Sequence, residues 1–198
     1  ERTFTAKKTA ERIVQEVSNK RGNYMVFFSS FEHMRIVTSH IKEIFDKIDQ
    51  EQIDNHVSEN QMLTHKLIIQ SSGMLPNERE DFLNNFNEAN DNCLLGACVL
   101  GGHFGEGIDL VGERLSGVII VGVGIPKITP EREILKNYYT EKFGDGYAFA
   151  YRFPGWEKVL QAVGRVIRTE DDYGFALLID ERYDKPEYLQ LYPDSWKI

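Results

Sequence analysis

Two short segments of this 198-residue chain carry side chains whose types and spacing suit the binding of phosphate. The first, Gly101-Gly-His-Phe-Gly-Glu-Gly-Ile-Asp-Leu110, follows an apolar run at once and holds four glycines within seven residues. Such glycines let a backbone adopt positive φ and approach a bound phosphate or ribose closely. Glu106 and Asp109 add acceptors that suit a ribose hydroxyl or a basic partner rather than phosphate itself. The alternative is a tight turn whose glycines serve geometry only. In the second segment, Gln161-Ala-Val-Gly-Arg-Val-Ile-Arg168, the residues Gln161, Arg165 and Arg168 recur at i, i+4 and i+7. At ~100° per residue they project from one side of a helix. Val159, Leu160, Val163, Val166 and Ile167 take the rest, and Gly164 leaves room for a close neighbour. Guanidinium groups stay charged and bind phosphate in a bidentate fork, so this face suits a polyphosphate. A solvated helix face is the alternative. Neither segment matches a familiar nucleotide loop: no Gly-Lys dipeptide exists for a Walker A loop, and Gly122-Val-Gly124 runs into Ile125-Pro126 where a dinucleotide loop needs further spacing.

The elements that must position these segments read as strand alternating with helix. Apolar, β-rich runs at Tyr24–Phe28, Leu67–Gln70, Cys93–Val99, Val118–Val123 and Phe175–Ile179 are continuous, as in strands buried on both faces. Between them, Thr5–Lys20 and Phe31–Ile48 place apolar residues on one helical face, and a third helix is expected from Asn77 through Phe86. This pattern predicts an α/β domain with a mostly parallel sheet, in which ligands gather at the carboxyl ends of the strands. Tyr138, Tyr139, Phe143, Tyr147, Phe149, Tyr151 and Phe153 crowd the segment between Pro126 and Pro154. Core packing is expected for most of these rings, with stacking on bases the other use.

Composition sets limits. No linker, repeat or low-complexity tract divides the chain, so a single domain is expected. With 23 basic and 31 acidic residues the net charge is −8, which excludes a surface coated in base; any nucleic-acid contact must be local. Cys93 and Cys98 are expected to be buried small hydrophobes in a reducing compartment. No apolar run nears the roughly 20 residues that span a bilayer, so no membrane partner is expected and a cytoplasmic location is.

The joint pattern resembles motifs V and VI of superfamily 2 helicases, in the branch of XPD and the bacterial damage-inducible DinG helicases. The resemblance is carried by Gly105-Glu-Gly-Ile-Asp-Leu110, Gln161-Ala-Val-Gly-Arg-Val-Ile-Arg168, Asp172-Tyr-Gly174 and Asp180-Glu-Arg-Tyr183, in this order. Tyr24-Met-Val-Phe-Phe-Ser-Ser-Phe31 is similar to that branch's motif IV, and the closing Tyr192-Pro-Asp-Ser-Trp-Lys-Ile to its usual ending. The resemblance implies a RecA-like three-layer domain, the second motor domain of an ATP-dependent DNA helicase. It implies that Arg165 and Arg168 face nucleotide phosphates, with Arg168 as arginine finger and Gln161 as a sensor of bound nucleotide. Glu106, Gly107 and Asp109 would lie at the cleft between motor domains, and Ser29, Ser30, Gly102 and His103 would contact single-stranded DNA. The serines have a second reading as caps of the following helix, and His103 as an exposed loop residue.

Equally telling are the parts of a complete helicase of this type that are missing. The chain has no Walker A loop, no Asp-Glu-x-His box and no set of four cysteines; Asp180-Glu-Arg-Tyr183 lacks the fourth-position His and matches the family's C-terminal Asp-x-Arg pattern instead. The expectation is that residues 1–198 are the C-terminal part of a longer chain, partnered by an N-terminal helicase domain that binds most of the ATP and magnesium. Any iron–sulfur cluster would belong upstream, and this part alone would not hydrolyse ATP. A stand-alone interaction module with a motor-like fold is the alternative; a sugar or nucleotide transferase rests on fold class alone.

Overall fold

The computed structural model describes residues 2–86, 91–102, 104, 115–164 and 174–196. In chain order these form Arg2–Val17 (α1), Gly22–Phe28 (β1), Phe31–Asp54 (α2), His65–Ile69 (β2), Pro76–Asn84 (α3), Cys93–Val99 (β3), Gly117–Val121 (β4), Pro130–Phe143 (α4), Phe153–Val163 (α5), Phe175–Ile179 (β5) and the short Pro186–Leu189 (α6). A π-helical turn, Ala148–Arg152, leads into α5, and 3-10 turns at Glu181–Asp184 and Asp194–Trp196 shape the tail. The five strands lie in the order β2-β3-β1-β4-β5 and every pairing is parallel. The expected strands are all present, and α2 runs to Asp54, beyond the expected Ile48.

Parallel strands need covered faces, and the side-chain alternation supplies two cores. Tyr24, Val26 and Phe28 of β1 turn to one face with Cys93, Leu95 and Ala97 of β3, where Ala10, Ile13 and Val17 of α1 and Val37, Ile41 and Phe45 of α2 cover them. Met25 and Phe27 turn to the other face with Leu94, Cys98, Val118 and Ile120, under Phe82 and Phe86 and under Trp156, Val159 and Ala162 of α5. The central strands β1, β3 and β4 are buried almost throughout, whereas edge strands β2 and β5 are half exposed. Burial pushes the Cys93 thiol up to about 12 and raises Cys98 as well, so both stay protonated and act as apolar filler.

Specific ties hold the layers in register. His65, at the start of β2, bonds the Asp49 carboxylate of α2 through Nδ1 at 2.5 Å and the Ser18 carbonyl through Nε2 at 2.9 Å, while its ring stacks on Phe45. At the other edge the tail folds back over α5. Trp156 donates its indole N–H to the Leu191 carbonyl at 3.0 Å and lies parallel to the Tyr192 ring at 5.1 Å. The Tyr183 hydroxyl reaches the Gly122 carbonyl at 2.7 Å.

The aromatic segment departs from expectation. Tyr151 is buried, but Tyr138, Phe143, Tyr147, Phe149 and Phe153 are exposed. The reason is local: α4 is anchored to the π-helical turn rather than to the sheet, and none of its residues is buried.

Helix α5 meets the end of β4 backbone to backbone. A Cβ on Gly155 would stand 2.7 Å from the Val123 carbonyl oxygen and 3.2 Å from the Gly124 carbonyl carbon. Gly124, at φ 64°, has Leu100 and the Gly155 carbonyl in the same position. The atoms that a Cβ on Gly155 would meet are all backbone, with no side-chain end to swing aside. Gly155→Ala is therefore expected to destabilise the domain by ~1–3 kcal/mol through overpacking, read as a lower urea midpoint at unchanged slope.

Candidate functional site

Because all five strands point the same way, the loops that follow them share one edge. Ser29 follows β1, Gln70 follows β2, Gly101 and Gly102 follow β3, Gly122 follows β4 and Asp180 follows β5. Strand β1 connects towards the β2 edge and its neighbour β4 connects towards the β5 edge, so the two connections diverge above the gap between them. Ligand crevices of open parallel sheets form at such a point. Here it is a cleft of about 700 Å³ whose lining includes Ser29, His33, Gly122, Asp180, Arg182 and Lys185, with Thr5 and Thr9 of α1 along one wall.

The two serines after β1 divide their roles. Ser30 is the N-cap of α2: its backbone is extended and its hydroxyl accepts the His33 N–H at 3.2 Å. The capping alternative thus describes what the Ser30 hydroxyl does. Ser29 is exposed, and its hydroxyl has no hydrogen-bond partner among the described residues. It faces the cleft with its hydrogen-bonding capacity uncommitted.

Across from it Asp180 caps the turn that follows β5, accepting the Arg182 N–H at 3.0 Å. The Arg182 guanidinium closes on the same carboxylate as a fork, Nε and Nη2 each at 2.7 Å. Burial pushes the Asp180 carboxyl upward, but the bonds and charge of Arg182, with the nearby charge of Lys185, outweigh it and hold the group below the ordinary carboxylate range. Asp180 is therefore ionised at neutral pH, and the Arg182 guanidinium is engaged with it through two of its nitrogens. Lys185 is exposed at the mouth of the cleft. Burial also lowers His33, against the opposing pull of Asp180, so its imidazole is neutral at pH 7. Its ring rests edge-on against Phe28.

On the other side of β1 lies a second group. Gly101 has φ 72°, as expected for the glycine-rich loop, and the end of the Lys158 side chain from α5 lies over it. Gly102 donates its N–H to the Val99 carbonyl at 3.2 Å, closing the turn, and Gln70 approaches its open side. Gln161 stands exposed on the last turn of α5, three residues after Lys158. The structure therefore brings Ser29 together with the Asp180–Lys185 turn, and Gly102 near the Lys158 side of α5, with β1 between the two groups. Gln161 and Gly102 do not line the cleft. His103, Glu106, Gly107, Asp109, Arg165 and Arg168 lie outside the described residues. Among the described residues no three His, Cys, Asp or Glu side chains stand together as a metal-ligand set, and no helix is long and apolar enough to cross a membrane.

His33, Lys158, Lys185 and the Asp180–Arg182 fork were not singled out by sequence as site residues. A signal existed for the fork: an Asp directly after an apolar strand, with Arg two positions on, is a capping pattern. Lys158 had none, because its place depends on the Gly155 contact.

Comparison with known proteins places these features in context. The model of the helicase C-terminal domain matches residues 13–198. A protein of Methanocaldococcus jannaschii named "Probable ATP-dependent helicase" is 27% identical over 187 residues, covering 90% of this chain and 26% of its own length. The regulator of telomere elongation helicase 1 homolog of Caenorhabditis briggsae is 28% identical over 192 residues, 89% of this chain and 19% of its own. The ATP-dependent DNA helicase DinG of Photobacterium profundum is 34% identical over 110 residues, 53% of this chain and 16% of its own. The chain thus spans about a quarter or less of the length of these relatives. Among solved structures, an XPD helicase superposes with a TM-score of 0.67 at 21% identity, over 95% of this chain and 30% of that one. An apo XPD structure gives 0.64 at 22% identity, over 91% and 33%. These two likenesses agree on a RecA-like helicase fold.

Two outcomes test the cleft. Neutral His33 contributes stability in full above the ordinary imidazole value near ~6.5, and that contribution falls away as pH drops below it, since the unfolded chain then binds the proton more readily. His33→Asn should accordingly flatten the change in unfolding free energy between about pH 7.5 and pH 5.5. Arg182→Gln should cost about 1–2 kcal/mol at neutral pH, with the deficit closing as pH falls through the carboxylate range, measured by urea unfolding across that range.

Proposed function

This chain belongs to the helicase C-terminal domain family, in its XPD/DinG branch, and from that premise we propose that residues 1–198 act as the second of two RecA-like motor lobes in an ATP-dependent DNA helicase. The reading assigns most of the ATP and magnesium contacts to an N-terminal lobe, with this lobe closing over the bound nucleotide. ATP supplies a phosphoryl group whose transfer builds charge on its oxygens, and fixed cations that face such charge speed the transfer by orders of magnitude. Arg165 and Arg168 are the candidates for that task, Arg168 as the arginine finger. Gln161 would report the bound nucleotide, and Glu106, Gly107 and Asp109 would couple it to the grip on the strand.

Single-stranded DNA is assigned to the carboxyl edge. The observation that carries this is the exposed, uncommitted hydroxyl of Ser29 at the end of the central strand, with the Lys185 ammonium at the mouth of the same cleft. A hydroxyl donates to a phosphate oxygen without adding charge, and an ammonium adds charge without fixing direction. Ser30, Gly102 and His103 would extend this contact, Ser30 through its hydroxyl hydrogen since its lone pair caps α2.

The assignment separates into measurable parts. With a short single-stranded oligonucleotide, Ser29→Ala should weaken binding several-fold while leaving its salt dependence unchanged. Lys185→Gln should reduce the slope of log K against log salt by ~1. In a full-length protein that carries this domain, Arg168→Ala should remove DNA-stimulated ATP turnover and leave nucleotide binding largely intact; turnover that survives refutes the finger. The 198-residue chain by itself should turn over no ATP.

A further inference from the structure

The turn that leads into α5 holds the one buried side-chain nitrogen without a hydrogen-bond partner among the described residues, Nε of Arg152. Buried polar groups are almost always paired, so an orphan of this kind points to an ion or a functional role. The turn itself is π-helical, with the Phe153 N–H bonded to the Ala148 carbonyl five residues back, and such insertions recur at functional sites. Arg152 ends it. Its Nη1 donates to Asp145 at 3.2 Å and its guanidinium lies 5.9 Å over the Tyr147 ring, while Nη2 is uncommitted among the described residues.

A second uncommitted group comes from the tail. Tyr188 is only 3% exposed, its ring edge-on against Trp156 and Tyr183, yet its hydroxyl has no hydrogen-bond partner among the described residues. The Arg182 and Arg152 guanidiniums and the Tyr147 phenol all act on that hydroxyl, and Tyr147 acts on Arg182 in turn. Four side-chain tips, two from the turn before α5 and two from the tail, therefore gather beside the cleft that Arg182 lines.

What these tips offer is donors. Arg182 has committed Nε and Nη2 to Asp180, which leaves Nη1. Arg152 adds Nη2, and burial raises the Tyr188 phenol against the pull of the two guanidiniums, so it keeps its proton. The charges that act on Tyr188 are two guanidiniums against one carboxylate, Asp180. Converging donors with an excess of positive charge suit an anion. Because the donors enter from two separate elements, a tetrahedral group that accepts from several directions suits them better than a planar carboxylate.

We propose that Arg152, Arg182, Tyr147 and Tyr188 form a phosphate-binding notch, in which an incoming phosphate competes with Asp145 for the Arg152 guanidinium. The phosphate is either free or part of a strand seated in the adjoining cleft, and only the second source rests on the DNA reading given above.

Chemical-shift titration of the 198-residue chain with inorganic phosphate, up to about 50 mM at fixed ionic strength, tests it. Saturable movement of the Arg152 and Arg182 Nε–H signals is expected, and acetate should move neither. Read at Arg182, R152Q should weaken binding about tenfold, and Tyr188→Phe several-fold, since it deletes only an uncommitted hydroxyl. D145N should strengthen binding several-fold, because it frees Arg152 and keeps the Oδ1 that accepts the Ala148 N–H at 3.0 Å. A merely structural Arg152 predicts the opposite sign, since D145N would then loosen the turn. Unchanged circular dichroism confirms that each variant is folded. The absence of a saturable shift overturns the proposal, as does an equal response to acetate or a D145N variant that binds phosphate less well. In a second arm, a short single-stranded oligonucleotide that displaces phosphate and is weakened by R152Q identifies the source as a strand. An oligonucleotide indifferent to R152Q and Tyr188→Phe, or one that fails to bind, leaves the notch to free phosphate; failure to bind counts against the DNA reading alone.

Discussion

Parallel pairing of β1 with β3 on one side and β4 on the other is the constraint from which the rest of the molecule follows. A parallel neighbour cannot be reached by a tight turn, so each connection must cross a face of the sheet and bring a helix or long segment with it. That covers both faces, which in turn requires β1 to be apolar on both, as Tyr24–Phe28 is. The same directionality collects every loop that follows a strand on a single edge. Ser29 is exposed where six buried residues precede it because the strand ends there, and Gly101, Gly102 and Asp180 are displayed at that edge for the same reason.

This logic explains how much could be read from sequence. Continuous apolar runs separated by amphipathic helices admit few arrangements other than a covered parallel sheet, so the class of fold and all five strands, to within two residues at their ends, were legible. Ser29 and Ser30 were legible as a pair but not as individuals. Both follow the strand, and only the backbone geometry at Ser30 decides that this hydroxyl caps α2 while its neighbour stays open. The aromatic segment was misjudged because ring content signals burial on average, and composition does not say whether a helix is attached by its apolar or its polar side. For α4 the attachment combines the stacking of Tyr139 and Phe143 on Phe149 with bonds of Arg132 and Glu133, side chains that a reading of hydrophobic pattern places in solvent.

A different limit applies to Lys158 and Gln161. Their spacing on α5 places them on neighbouring turns, but where that helix lies over the sheet is set by a backbone contact between Gly155 and the Val123–Gly124 segment. Two glycines some thirty residues apart have no visible relation in one sequence. Once they touch, Lys158 arrives over Gly101, and the seam between β3 and α5 acquires a cation beside a glycine-rich turn. The net negative charge of the chain is compatible with this, because a few placed cations on one edge decide local attraction while the remaining surface sets the total.

The tail gives the edge one more property. Trp156 fastens α5 to Leu191 and Tyr192, and Tyr183, in the turn headed by Asp180, is bonded to the Gly122 carbonyl at the end of β4. The helix that carries Lys158, whose end lies over Gly101, and the turn that carries Arg182 and Lys185 are buckled to each other by the final twenty residues. A shift of α5 along the sheet must either drag that turn with it or break an indole hydrogen bond and a stacked ring pair. The tail therefore works as a stiff strut, and the two banks of the edge are geared to move as one piece.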